Sequence, residues 1–198
     1  MAVTLSKGGK VSLAKAAQEA GLSSLQEVVI GLGWDVAKKR GFFGGGKSID
    51  CDASAFVLTN GRIAAKDDIV YFNHLTHRSG AVRHMGDNLT GDGDGDDEQI
   101  IINLKSLPRK YDGVVVVVNI YRAEAKKQDF GMIQNAFIRI CDNKTGKELV
   151  RYNLSDDYAG KTAMVFGRLY LHNGEWKFDA IGQGTNDGSV TELAKRYA

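Results

Sequence analysis

The stretch Gly113-Val114-Val115-Val116-Val117-Val118-Asn119-Ile120 decides the fold. Five consecutive β-branched side chains suit a helix poorly, and an unbroken apolar run suits a strand buried on both faces. Outward from this strand, covering 114–121, further runs rich in Val, Ile, Phe and Tyr are bounded by Gly, Asn and Asp. These read as strands at 27–32, 50–58, 69–73, 99–104, 136–141, 148–154, 163–172 and 176–181. Asn60-Gly61, Thr145-Gly146 and Asn173-Gly174 signal hairpins. The last is the strongest, joining Leu169-Tyr170-Leu171-His172 to Glu175-Trp176-Lys177-Phe178 through a pair suited to a type I′ turn. Arg139 and Arg151 fall at outward positions of the hairpin around Thr145-Gly146. Helical signals are few. Residues 13–20 can form two turns, and Ser189-Val190-Thr191-Glu192 is a capping box that opens a short helix through Tyr197. The expectation is an all-β fold: a two-sheet β-sandwich with a few short helices, one of them at the C-terminus, in a single domain over 1–198.

Composition bounds the function classes. The 198 residues are 43% hydrophobic and 25% charged, which excludes wholesale disorder and suffices for a sizeable core. No run approaches the roughly 18 apolar residues of a membrane span, so no transmembrane segment is expected. The opening Met-Ala-Val-Thr-Leu-Ser-Lys-Gly-Gly lacks the basic start and apolar run of a secretory signal, and a cytoplasmic location follows as the expectation. Cys51 and Cys141 form no CxxC pair, so they read as reduced thiols in strands. One proline and 24 glycines favour tight turns over stiff linkers.

Charge is unevenly spread. Residues 86–98 read Gly-Asp-Asn-Leu-Thr-Gly-Asp-Gly-Asp-Gly-Asp-Asp-Glu and hold six of the 24 acidic residues of a chain whose net charge is +2. Asp87, Asp92, Asp94, Asp96, Asp97 and Glu98 cannot pack into a helix at this glycine density, and they repel one another without a partner. A hard dication needs 6–8 oxygens at roughly 2.3–2.6 Å, which short aspartates and a sharply curved backbone supply. A solvated acidic loop and mimicry of nucleic acid are the competing readings. EF-hand spacing does not fit: counting from Asp92 puts Asp97 where glycine belongs, and counting from Asp87 puts Leu89 at position 3. Asp50 and Asp52 share one face of a strand, with Cα atoms roughly 6.6 Å apart. If that strand end meets the acidic window, they complete a cation site from a second segment. Asp35 and Asn73 are weaker oxygen donors at similar strand ends.

Gly41-Phe42-Phe43-Gly44-Gly45-Gly46-Lys47-Ser48 matches the GxxxxGKS expression letter for letter, and nucleotide binding through it is the alternative function. Its mechanism requires a buried strand leading in and a helix beginning at the Lys-Ser end. Here Lys38-Lys39-Arg40 precede it, and the following residues read as a strand. His74, His77, His84 and His172 show no zinc motif, and no nucleophile elbow is present, so no enzymatic activity is expected. Lys38-Lys39-Arg40 and Lys126-Lys127 are small clusters that suit solvated faces, with no direct nucleic-acid contact expected.

Taken together, the segments resemble the TerD family, the tellurium-resistance and general-stress proteins of bacteria. The matching stretches are Leu5-Ser6-Lys7-Gly8-Gly9, Val29-Ile30-Gly31-Leu32-Gly33-Trp34-Asp35, Asp50-Cys51-Asp52-Ala53-Ser54-Ala55-Phe56 and Gly86-Asp87-Asn88-Leu89-Thr90-Gly91 with Asp96-Asp97-Glu98. Asn135-Ala136-Phe137-Ile138-Arg139 and His172-Asn173-Gly174-Glu175-Trp176-Lys177-Phe178 fit as well. The resemblance implies a compact β-sandwich that binds two calcium ions and works in the cytoplasm as a non-catalytic scaffold. It also implies other Ter-type stress-resistance proteins as partners, membrane-associated and enzymatic ones among them. Its acidic calcium motifs fall on Asp50, Asp52, Asp87, Asp96, Asp97 and Glu98, with Asp92 and Asp94 where the pattern is looser. Ser48 and Arg122 stand at positions that are usually acidic in the family.

Overall fold

A computed structural model of the chain describes residues 1–36, 49–86 and 95–198. In chain order its main elements begin with β1 (Val3–Leu5), β2 (Lys10–Ser12), α1 (Leu13–Glu19), β3 (Glu27–Val36), β4 (Cys51–Leu58), β5 (Ile69–Val70) and β6 (Val82–His84). They continue with β7 (Glu98–Asn103), β8 (Gly113–Ile120), α2 (Ala123–Lys126), β9 (Ile133–Asp142), β10 (Glu148–Asn153), β11 (Ala163–His172), β12 (Glu175–Thr185) and α3 (Val190–Ala194). Among the described residues the strands form two six-stranded sheets. The first has the order β1-β10-β9-β3-β7-β6 and the second β2-β12-β11-β8-β4-β5. Every pairing is antiparallel except that of β1 with β10.

The valine strand explains the layering. Val114, Val116 and Val118 of β8 face the core between the sheets, beside Ile30, Ile100, Ile102, Ile138 and Phe166. Val115 and Val117 face the other way, into a second cluster with Phe56, Leu58, Ala163 and Val165. The C-terminal helix covers that cluster with Leu193 and Ala194, and the Tyr197 ring lies 5.8 Å from that of Phe56. β8 is therefore buried on both faces, as a run without polar alternation requires. Ser189 caps α3 by accepting from the Glu192 N–H at 3.3 Å. Glu192 completes the cap one residue further back than the capping-box reading, accepting from the Gly188 N–H at 2.7 Å.

The Asn-Gly hairpins adopt the expected turn: Asn60, Gly61, Asn173 and Gly174 all have positive φ. One expected strand is shorter. The 69–73 run pairs only through Ile69 and Val70, opposite Phe56 and Ala55, and then turns back through Tyr71–His74. The antiparallel order fixes which strand ends share an edge of the sandwich. β3, β5, β6 and β8 finish at one end, where β4, β7 and β9 begin.

Candidate functional site

Asp96, Asp97 and Glu98 lead into β7 at this shared end, and successive strand residues point to opposite faces. Three adjacent carboxylates consequently go to three different places. Glu98 turns inward with Ile100 and Ile102. Its Oε2 accepts from the Ala53 N–H at 3.3 Å and lies 2.8 Å from His84 Nε2. His84 Nδ1 accepts from the Gly86 N–H at 3.1 Å, so its proton sits on Nε2, which points at Glu98 and at the Ala53 carbonyl 3.1 Å away. The β4 strand start thus meets the exit of the acidic window, joined across the sheets by Glu98 and His84. That juxtaposition is the one the sequence reading required of the two segments.

Asp97 accepts from the Trp34 N–H at 2.7 Å, while its own N–H donates to the Leu32 carbonyl at 2.7 Å. Burial pushes its acid up and the Trp34 N–H pulls it down; the nearby charges of Asp35 and Asp96 push it up further. Asp96 crosses to the outer face of the first sheet and fills the space above Gly31. There its carboxylate accepts from Arg139 Nε at 2.7 Å and from Gln99 Nε2 at 3.0 Å. Arg139 also reaches Glu148 at 3.4 Å, and Glu148 takes Nε and Nη2 of Arg151 at 2.8 Å each. Arg139 and Arg151 face each other across the strands, at the outward positions their hairpin implies.

A Cβ on Gly31 would overlap the Asp96 carboxylate. Gly31→Ala should therefore expel Asp96 from its ion pair and cost about 1–3 kcal/mol, the usual range for overpacking. Urea unfolding checks this, and a midpoint equal to the parent's would mean that the carboxylate rests elsewhere.

Asp52 shares the outward face of β4 with Ser54 and Phe56, opposite the face of Cys51 and Ala53. It is 7% exposed, and its cross-strand neighbour is Asn119 of β8, 6% exposed. Asn119 Oδ1 is buried without a hydrogen-bond partner. A buried amide oxygen with no donor is costly unless a cation or donor serves it. Asp50, half-buried, pairs with Lys126 Nζ at 3.4 Å. Burial, followed by the negative charges of Asp52, Asp50, Glu98 and Asp97, pushes the Cys51 thiol well up, so Cys51 is a neutral packing group.

Other candidates stand apart. Asp35 is exposed and accepts from Asn135 Nδ2 at 2.7 Å. Asn73 is exposed in the Tyr71–His74 turn, past the end of the shortened β5. Asp87, Asp92 and Asp94 lie outside the described residues, as does Gly41–Ser48. After Ser48 the chain runs through buried Ile49 into β4, a strand where a phosphate loop needs a helix, and nothing supports the nucleotide reading. Among the described residues, no three acidic, histidine or cysteine side chains converge into a ready-made metal cage. The sequence reading missed Asn119, His84 and the Arg139 clasp on Asp96. Asn119 carried a signal as the first polar residue after the valine run.

Two mainly antiparallel sheets with short outer strands and acid-bearing strand starts gathered at one end define a β-sandwich. The TerD domain matches residues 1–197, and the chain belongs to the TerD family. It is 50% identical over 203 residues to stress response protein SCP2 of Bacillus subtilis (strain 168), covering 100% of both chains. It is 45% identical over 196 residues to tellurium resistance protein TerD of Serratia marcescens, covering 98% of this chain and 97% of that one. The fold also matches a crystal structure of a homologue of telluride resistance protein (TerD) from Streptomyces coelicolor A3(2). The TM-score is 0.65 at 19% identity, over 88% of this chain and 99% of that one. These relatives are named for resistance and stress response rather than for a catalysed reaction. Among the described residues, no helix is long and apolar enough to cross a membrane.

Proposed function

We propose that the protein is a non-catalytic calcium-binding module of a cytoplasmic stress-resistance system, acting alongside other Ter-type proteins. The observation that carries this reading is the pair Asp52–Asn119, a buried carboxylate beside a buried amide oxygen that lacks a donor. The donor set is all oxygen, as a hard dication prefers. Asp52 and Asn119 would hold an ion on the outer side of β4. Asp97, entering from the other sheet, would serve a second ion with carboxylates of the preceding acidic segment, while Glu98 holds the Ala53 N–H and His84. Asp96 does not fit either set, because Arg139 and Gln99 already satisfy its carboxylate. Bound calcium would join the two sheets at one end. It would not act on a substrate.

Calorimetric titration of the full chain with calcium tests the reading. Two ions are expected for the parent, with Asp52→Asn and Asp97→Asn each lowering affinity at one of them at least tenfold. Both variants should keep the β-rich circular dichroism of the parent at high calcium. A parent that takes up no calcium, or variants that bind as tightly as the parent, would sink the proposal.

A further inference from the structure

At the end of the sandwich opposite the acidic strand starts, where β5 and β6 begin, a serine, a histidine and an acid line up in a chain. His77–Gly80 is a tight turn, closed by the Gly80 N–H on the His77 carbonyl at 2.7 Å. The His77 N–H donates to the Val82 carbonyl at 2.9 Å and ties the turn to β6. Gly80 is exposed, with φ of 71° and open space where a Cβ would stand, so small molecules can reach the turn. Beside it Ser79 is half-buried, while His77 and Asp68 are fully covered. His77 Nδ1 accepts from the Ser79 hydroxyl at 2.7 Å and from the Ser79 N–H at 3.2 Å. A ring nitrogen that accepts an N–H carries no proton, so the imidazole proton sits on Nε2, aimed at Asp68 Oδ1 3.1 Å away. The Ser79 oxygen itself accepts from the Ala81 N–H at 3.2 Å, which leaves its hydrogen for His77. Nucleophile and base within hydrogen-bond reach, with the base held by a third group, is the arrangement that activates a serine.

The surroundings suit the transfer of an acyl group. Burial pushes the His77 imidazole below its ordinary 6.5, so at neutral pH Nδ1 is the free base that a serine proton needs. Asp68 is the anion that steadies the imidazolium once that proton arrives. Arg78, adjacent to Ser79, donates inward to Tyr111 and Asp68 while 42% of its side chain stays in water. Lys110 Nζ, 4.9 Å from the Tyr111 ring, adds a second cation at this corner. Positive charge beside the nucleophile favours a donor whose leaving group is an anion. One base without a clamp on several phosphoryl oxygens fits attack on a carbonyl better than phosphoryl transfer. We propose that Ser79 is an acyl-acceptor site, modified by small acyl phosphates. The Ser79 oxygen bonds to the acyl carbon as its proton passes to His77 Nδ1. The bond from that carbon to the bridging oxygen breaks, and the phosphate leaves with the electron pair and takes the proton from His77. The product is one ester on the protein, so no turnover is involved, and calcium takes no part.

The full-length protein is incubated with acetyl phosphate in calcium chelator, and the modified positions are followed in time by peptide mass mapping. Ser79 should gain an acetyl group at least a hundredfold faster than Ser23 and Ser24, the exposed serines between α1 and β3, since a positioned base contributes about 10²–10⁴-fold. His77→Gln should bring Ser79 down to their rate, with circular dichroism reporting that the variant is folded. If that variant does not fold, the ratio of Ser79 to Ser23 and Ser24 within the parent decides alone. A ratio near one overturns the proposal, as does a folded His77→Gln protein acetylated at Ser79 as fast as the parent. A phosphoryl group on Ser79 in place of the acetyl group overturns it in favour of phosphoryl transfer.

Discussion

Asp68→Ala should remove on the order of 1–3 kcal/mol of stability, the range for leaving buried hydrogen-bond donors unsatisfied. Asp68 is fully buried, and nothing in its role concerns an ion from solution. Its Oδ1 accepts from Arg78 Nη2 at 2.8 Å and from His77 Nε2 at 3.1 Å, with the Tyr111 hydroxyl at 3.4 Å. Its Oδ2 accepts from the Ala65 N–H at 2.9 Å. Arg78 also donates to the Tyr111 hydroxyl at 2.9 Å, and the His77 ring packs edge-on against Tyr111. Removing the carboxylate strands His77 and Arg78 of the β5–β6 connection together with the Ala65 N–H and the Tyr111 hydroxyl. Urea unfolding at neutral pH measures the loss, and an unchanged midpoint would show that the donors find water instead.

The same network gives the parent a definite pH response. Burial pushes the His77 imidazole below its ordinary 6.5, against the opposing pull of Asp68. The folded state thus holds His77 neutral where the unfolded chain takes up a proton. Stability is present above pH 6.5 and declines as pH falls through the folded-state value. Burial pushes the Asp68 acid up, but the His77 hydrogen bond and the Arg78 charge outweigh it and leave it below 3.8. Its contribution is lost in the same sense, further into acid. His77→Gln should flatten the first decline between pH 7 and 5, and an equally steep slope in that variant would assign it to another group.

Calcium should raise the melting temperature strongly. If the ion binds only the folded chain, a free concentration of 100 times the dissociation constant adds about 2.7 kcal/mol per site. The physical source is relief of buried, mutually repelling carboxylates, of which Asp97 is the clearest. Its acid is already pushed up by burial, despite the Trp34 N–H, and by the charges of Asp35 and Asp96. Magnesium should protect less, since it demands near-octahedral geometry at shorter distances and sheds water reluctantly. Thermal melts in chelator, calcium and magnesium give the comparison. Identical melts in chelator and excess calcium would remove the linkage, and equal protection by both ions would reduce it to charge screening.

The long strands were legible because valine runs and Asn-Gly turns are local signals. β1, β2 and β6 were not. Each has three residues, too few to show a period, and each exists because a longer neighbour offers an open edge. α2 escaped for another reason: Arg122 and Lys127, neither a usual left-handed residue, flank it at φ of 56° and 53°. At the acidic end, composition identified the residues and could not give their directions. Asp96, Asp97 and Glu98 look equivalent in a line of text, yet strand alternation and Gly31 send them to an arginine, a backbone amide and the core. Asn119 became visible as a candidate once the pairing of β4 with β8 set it opposite Asp52.

The short outer strands carry a consequence for self-association. A sheet edge is a template on which another chain can polymerise, and long flat edges invite fibres. Here the four outermost strands, β1, β6, β2 and β5, span three, three, three and two residues. Where β5 stops short and leaves β4 uncovered, Glu98 and His84 already occupy the Ala53 amide and carbonyl. An incoming strand would have to displace a buried carboxylate and imidazole to gain two hydrogen bonds. The molecule is thereby guarded against stacking upon itself in a crowded cell, and substituting His84 or Glu98 would open that edge to aggregation.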